Sequence, residues 1–157
     1  MQSFSEWLAT VPETITNDPL WRMKVYRMAL FLGDLAWHDV TKLVSERRTV
    51  GLADQLFRAV GSIGANIAEG YSRQSGKDRT RFYEYALGST RESRHWYYQG
   101  RYVLSEKVAE HRINLLAEIA RLLLSIIPQE RVRNLAEEPA DYEIDLVALL
   151  DDPPLPP

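Results

Sequence analysis

Arg91, Arg94, Tyr98 and Arg101 recur at steps of three, four and three residues. On a helix that spacing puts them on one side. Guanidinium groups interleaved with an aromatic ring can hold phosphate oxygens and stack on bases, so the chemistry they suit is recognition of RNA or DNA. Arg73 and Lys77, with Arg79 and Arg81, add positive charge in and just after the preceding loop. The same stripe also fits a solvated or inter-subunit face whose arginines pair with glutamates. A second set, Ser62, Asn66, Glu69 and Arg73, is spaced by four, three and four residues. Beside small residues, its amide and carboxylate can bond a facing helix and set register, or can form a polar patch open to a ligand. A third feature is Glu92 and His95, a Glu-x-x-His pair of the kind used in di-iron bundles. Such a site requires a second pair and two more glutamates, and neither His38 nor His111 follows a glutamate by three residues. A phosphate loop, a nucleophile elbow and a His-Glu-x-x-His motif are all missing from the sequence. The expectation is therefore a binding protein and not an enzyme, with no catalytic residue, no metal and no cofactor.

The elements that must position these groups read as helices throughout. The first begins at Asp18-Pro19, an N-cap followed by a residue suited to the first turn. It carries Trp21, Val25, Met28, Leu32, Leu35, Asp39 and Leu43 as a stripe broken once by Asp39, and ends near Arg47-Arg48. The second presents Leu52, Leu56, Ala59-Val60, Ile63 and Ile67. Its other face is small, with Gly61, Ser62, Gly64, Ala65 and Ala68, which suggests a close neighbouring backbone. Gly70 is the expected left-handed stop. The third turns Phe82, Tyr85-Ala86, Ser89, Ser93, Trp96-Tyr97, Gly100 and Val103-Leu104 inward. The fourth runs from Val108 to Ile127 with Leu115-Leu116, Ile119, Leu122-Leu123 and Ile126 toward the core, stopped by Pro128. Short connections predict an all-α, antiparallel up-down-up-down four-helix bundle over 18–128. An N-terminal arm (1–17) precedes it. An acidic C-terminal tail (129–157) follows, with a short docking helix over 141–150 built on Tyr142, Leu146 and Leu149-Leu150.

With 157 residues the chain has room for one core of ordinary size. It has no cysteine, which excludes disulfides, thiolate catalysis and cysteine-held metals. Nothing in it resembles a signal peptide or a membrane span, so the expected location is the cytoplasm, with no membrane partner. Net charge is −3, yet Asn134–Pro157 holds seven acids and no lysine or arginine. Setting those seven aside leaves fifteen acids against nineteen basic residues, so the rest of the chain carries about +4. A basic body with an acidic tail suits an anionic partner, a tail that covers the basic surface or contacts a protein, or a purely solubilising tail.

The run Gln55-Leu-Phe-Arg-Ala-Val-Gly-Ser-Ile-Gly-Ala-Asn-Ile-Ala-Glu-Gly70, followed by Arg73, Phe82 and Ala86-Leu-Gly-Ser89, resembles the signature of a bacterial family. This is the four-helix-bundle family encoded by intervening sequences of 23S rRNA genes, also called the S23 ribosomal protein family; the likeness spans about Leu20 to Ile127. It implies a bundle that assembles with itself into a ring, typically a homopentamer, without an established enzymatic activity. In fold it is similar to the accessory proteins of diversity-generating retroelements, whose ring partners a reverse transcriptase and nucleic acid. By matching position, the resemblance marks Asn66, Glu69, Gly70, Arg73, Gly88, Ser89 and Glu92 as family-type polar and small residues with an architectural role. Where the family continues with an acidic, leucine-rich stretch, this chain has the more basic and aromatic Thr90–Tyr98, which points to a changed outer surface.

Overall fold

The computed structural model describes residues 3–127, 146–151 and 153–156. Four long helices, α3 (Lys24–Leu43), α4 (Val50–Tyr71), α5 (Gly76–Leu104) and α6 (Glu106–Ile126), form the body. Before them come α1 (Phe4–Leu8) and α2 (Glu13–Thr16), and after them α7 (Leu146–Asp151). Each long helix packs on the next, and α3 closes the bundle against α6. The connections are residues 44–49, 72–75 and the single residue Ser105, too short for anything but antiparallel neighbours.

The stripes read from sequence mostly become the core. Met28, Leu32 and Leu35 of α3 meet Leu56, Ile63 and Ile67 of α4 and Leu115, Leu116 and Ile119 of α6, all fully buried. Asp39 does not break the stripe by turning outward, for it is as deeply buried as its apolar neighbours. The helix expected from Asp18 is split. Asp18 caps a 3-10 turn, Pro19–Arg22, by accepting from the Leu20 N–H at 2.8 Å, and extended backbone at Met23 separates that turn from α3.

On α5 the inward set differs from the expectation in its first half. Tyr83 and Leu87 are buried, whereas Tyr85 is exposed and Phe82 half-buried. Phe82 and Tyr85 instead meet edge to face at 5.8 Å on the outside, and the guanidiniums of Arg73 and Arg81 lie over the Phe82 ring. From Ser93 onward the expected residues Ser93, Tyr97, Gly100 and Leu104 face the core, with Trp96 and Val103 half-buried. On α6, Ile126 is exposed in the last turn. Gly70 is not a left-handed stop. The helix continues to Tyr71, and a Cβ at Gly70 would stand 2.8 Å from Tyr83 Cε1, so glycine there admits the α5 ring. Among the described residues only Ser105 has a positive φ, at 85°.

The ends of the chain fold back on the bundle. Ser3 and Glu6 form a capping box that starts α1. Phe4 and Trp7 then bury against Phe31, with ring centroids 5.2 and 5.4 Å away. Trp7 Nε1 donates to Asp34 at 2.6 Å. Of the docking helix expected over 141–150, residues 141–145, with Tyr142, lie outside the described residues. Leu149 is buried in the core cluster and Leu150 packs against its edge. Among the described residues no helix is long and apolar enough to cross a membrane.

Candidate functional site

α5 has the least apolar inward face of the four long helices, with Thr80, Thr90 and Ser93 buried on it. Thr90 and Ser93 donate back to the carbonyls of Ala86 and Ser89, so these hydroxyls are satisfied within the helix. The arginines of its second half lie toward the outer side of α5, beside the exposed His95 and Tyr98. Arg91, Arg94, His95 and Tyr98 line a notch of about 340 Å³ that Ile113 of α6 closes from the side.

One turn further, Arg101 meets two rings, its Cζ 4.0 Å from the Tyr98 centroid and 4.1 Å from that of Tyr102. It donates to the Tyr98 carbonyl at 2.7 Å and the Tyr102 hydroxyl at 2.6 Å. These bonds hold the guanidinium against both aromatic rings, and cation–π attraction adds to them. Tyr98 is 54 % exposed and Tyr102 80 % exposed, so each ring keeps a face to solvent. Among the described residues neither Arg94 nor Arg101 forms an ion pair, unlike Arg48, Arg58, Arg73, Arg112 and Arg121.

The other basic residues named from sequence lie elsewhere. Lys77, in the first turn of α5, is fourteen residues and so roughly 21 Å from Arg91 along the helix. Arg73 follows α4, pairs with Glu69 and covers Phe82. The stripe is thus two patches at opposite ends of α5. The residues that sequence reasoning missed are Tyr102, His95 as part of the notch, and Ile113. Tyr102 had a signal, one helical turn beyond Tyr98, while Ile113 comes from another helix and had none.

The polar set on α4 bridges to α5. Asn66 Nδ2 donates to the Ser62 carbonyl at 2.8 Å and to Ser62 Oγ at 2.9 Å, and Ser89 Oγ stands 3.0 Å from Ser62 Oγ. Through Ser62 this small chain of bonds reaches α5. Gly88, beside it, has an open surface with nothing within 4 Å of a Cβ position. Glu92 accepts from Trp96 Nε1 at 3.2 Å, and His95 meets the edge of the Trp96 ring at 4.8 Å. Among the described residues no three His, Cys, Asp or Glu gather as metal ligands.

Two further features go beyond the site residues named from the sequence. One is a buried network. Arg112 is fully enclosed and forks onto Asp39, Nε to Oδ2 at 2.8 Å and Nη2 to Oδ1 at 3.1 Å. The Tyr97 hydroxyl donates to Asp39 Oδ2 at 2.9 Å. Burial first, and the Asp39 charge second, push the Tyr97 phenol well above its ordinary value, so it stays a donor. The other is an apolar groove of about 430 Å³ between α3 and α4, floored by Gly33, Gly61 and Gly64. Trp37 and Phe57, 63 % and 44 % exposed, meet edge to face on its rim at 6.0 Å.

The family model described as 23S rRNA-intervening sequence protein matches residues 22–125. A crystal structure of a protein of unknown function from the S23 ribosomal protein family, from Bacteroides thetaiotaomicron VPI-5482, is similar with a TM-score of 0.62 and 28 % identity. The match covers 66 % of this chain and 97 % of that one. No curated protein matches the chain.

Proposed function

Because the chain belongs to the 23S rRNA-intervening sequence protein family, we propose that it is a non-catalytic, homo-oligomeric bundle that binds RNA or DNA through the outer face of α5. The observation that carries this reading is the set Arg94, Tyr98, Arg101 and Tyr102: two guanidiniums without a described carboxylate partner, beside two rings open to solvent. Exposed rings give stacking surfaces that any base fits, and the guanidiniums supply the charge that draws phosphates. The family is described by the intervening sequence of 23S rRNA that gives it its name, and its S23 relative is described as of unknown function.

The α3–α4 groove supports a protein contact as well. Its exposed Trp37 and Phe57 form an apolar rim next to helical glycines with open surfaces, the kind of face a second copy covers. Self-association there, in the pentameric ring that the resemblance implies, leaves α5 available. A scaffold without nucleic acid is the competing reading. Arg94→Glu with Arg101→Glu separates the two when RNA and DNA binding is titrated at two salt concentrations and particle mass is measured alongside. The adaptor loses binding and salt dependence at unchanged mass. Wild-type protein that assembles but binds neither RNA nor DNA at low salt leaves the scaffold.

A further inference from the structure

Arg112 and His111 reach beyond the bundle. Arg112 Nη2 donates to the carbonyl of Pro154 at 2.8 Å. Arg112 Nη1 lies 2.9 Å from His111 Nδ1, so that nitrogen accepts and Nε2 carries the ring proton toward the Leu149 carbonyl, 2.6 Å away. Two adjacent side chains of α6 therefore hold two backbone carbonyls of one segment, five residues apart. Between those points Leu149 and Pro153 are buried, and Leu155 and Pro156 border a cavity of about 280 Å³ with His38 and Lys42 of α3. The Leu149 carbonyl belongs to the last turn of α7, where the helix leaves carbonyls without a partner of its own, and the Pro154 carbonyl to a proline-rich stretch that offers no N–H, so donors aimed at carbonyls are the recognition both call for.

The clamp does not depend on the segment for its own integrity. Asp39 holds the Arg112 fork from the bundle side, and His111 and Tyr97 complete it, all from α3, α5 and α6. The family match ends at residue 125, before the segment begins. Among the described side chains of α7 and the residues after it, Leu149 and Pro153 are buried and Leu150 packs at the core edge, beside these two hydrogen bonds. A six-residue helix outside the packing of the four long helices is a unit that can open locally.

We infer that the α3–α6 surface around His111 and Arg112 is a receptor for a peptide made of a leucine-bearing helical turn followed by a proline-rich stretch, and that residues 146–151 and 153–156 occupy it as a detachable clasp. Opening the clasp frees the surface for a peptide of the same chemistry.

The test uses a fluorescent peptide of residues 146–157 titrated by anisotropy against full-length wild type and full-length Leu149→Asp. The variant binds at least tenfold more tightly than wild type, whose own segment competes. Unlabelled peptide displaces the probe, and a peptide carrying Leu149→Asp does not. Equal binding to both proteins, or none to a folded variant, overturns the inference. Amide hydrogen exchange on wild type decides the matter even if the variant does not fold. A clasp exchanges over 146–151 at least a hundredfold faster than Leu115–Ile119 of α6. Equal protection makes the segment part of the cooperative core and rejects it.

Discussion

Replacing Arg112 with methionine leaves the Asp39 carboxylate with no described cation, in a site with no solvent exposure. Removing one partner of a buried pair costs about 3–5 kcal/mol, most of it the penalty of the charge left behind. For a domain of this length that corresponds to a fall in Tm of roughly 6–20 °C. The same physics predicts partial recovery when the charge goes too. Asp39→Leu with Arg112→Met removes both ions, and adding Tyr97→Phe removes the hydroxyl that would otherwise lose its acceptor. The triple variant is therefore more stable than Arg112→Met alone. The Asp39–Arg112 coupling in the double-mutant cycle is at least about 2 kcal/mol. Urea unfolding followed by far-ultraviolet circular dichroism at pH 7 measures all of these, at one protein concentration so that self-association does not intrude. A cost below about 1 kcal/mol for Arg112→Met, or single changes that add to within about 0.5 kcal/mol, refutes the reasoning.

Gly70→Ala forces a Cβ into the Tyr83 ring and destabilises by about 1–3 kcal/mol, whereas Gly61→Ala, with nothing within 4 Å, gains up to about 1 kcal/mol. Equal effects in urea unfolding dismiss the close-approach account of Gly70. Ser105 joins α5 to α6 at φ 85° and ψ 152°, where only glycine is comfortable. Ser105→Gly gives up a weak cap bond to Val108 and still stabilises by roughly 1 kcal/mol, so a loss of stability contradicts the strain. Tyr97 titrates in the unfolded chain near pH 10 but higher in the fold, so the folded state holds its proton longer and stability falls as pH rises above about 10. Tyr97→Phe flattens that alkaline slope, by up to about 1.4 kcal/mol per pH unit, and an unchanged slope shows that Tyr97 ionises freely in the fold.

The bundle was legible because its helices carry apolar stripes of the right period, bounded by proline, glycine and capping residues, and local sequence encodes all of these. The first half of α5 was misplaced for an equally local reason. Phe82 and Tyr85 have the size and spacing of core residues, yet their rings are consumed by each other and by Arg73, which no periodicity reveals. Gly70 misled in a related way. Helix-ending glycine and close-packing glycine are the same letter, and only Tyr83 opposite shows which this is. The basic face was half legible. Helical spacing grouped Arg91, Arg94, Tyr98 and Arg101, but distance along α5 separates Lys77 from them, and the notch wall comes from α6.

The buried network marks where sequence reasoning could have gone one step further. Asp39 interrupts the stripe of α3, and Arg112 interrupts Val108, Leu115, Ile119 and Leu123 on α6 in the same manner. A charge held in an apolar stripe must find its opposite or drive the helix out of the core. Two interruptions of opposite sign on two helices of one bundle are therefore each other's natural partners. Only one was noticed, as a defect in a pattern. Pairing the two across 73 residues fixes α3 beside α6 and so the closure of the bundle. It also places at the rim of the core the guanidinium whose remaining donor holds Pro154. Two paired mismatches with the apolar pattern thus account both for how the bundle shuts and for where the chain's last described segment attaches.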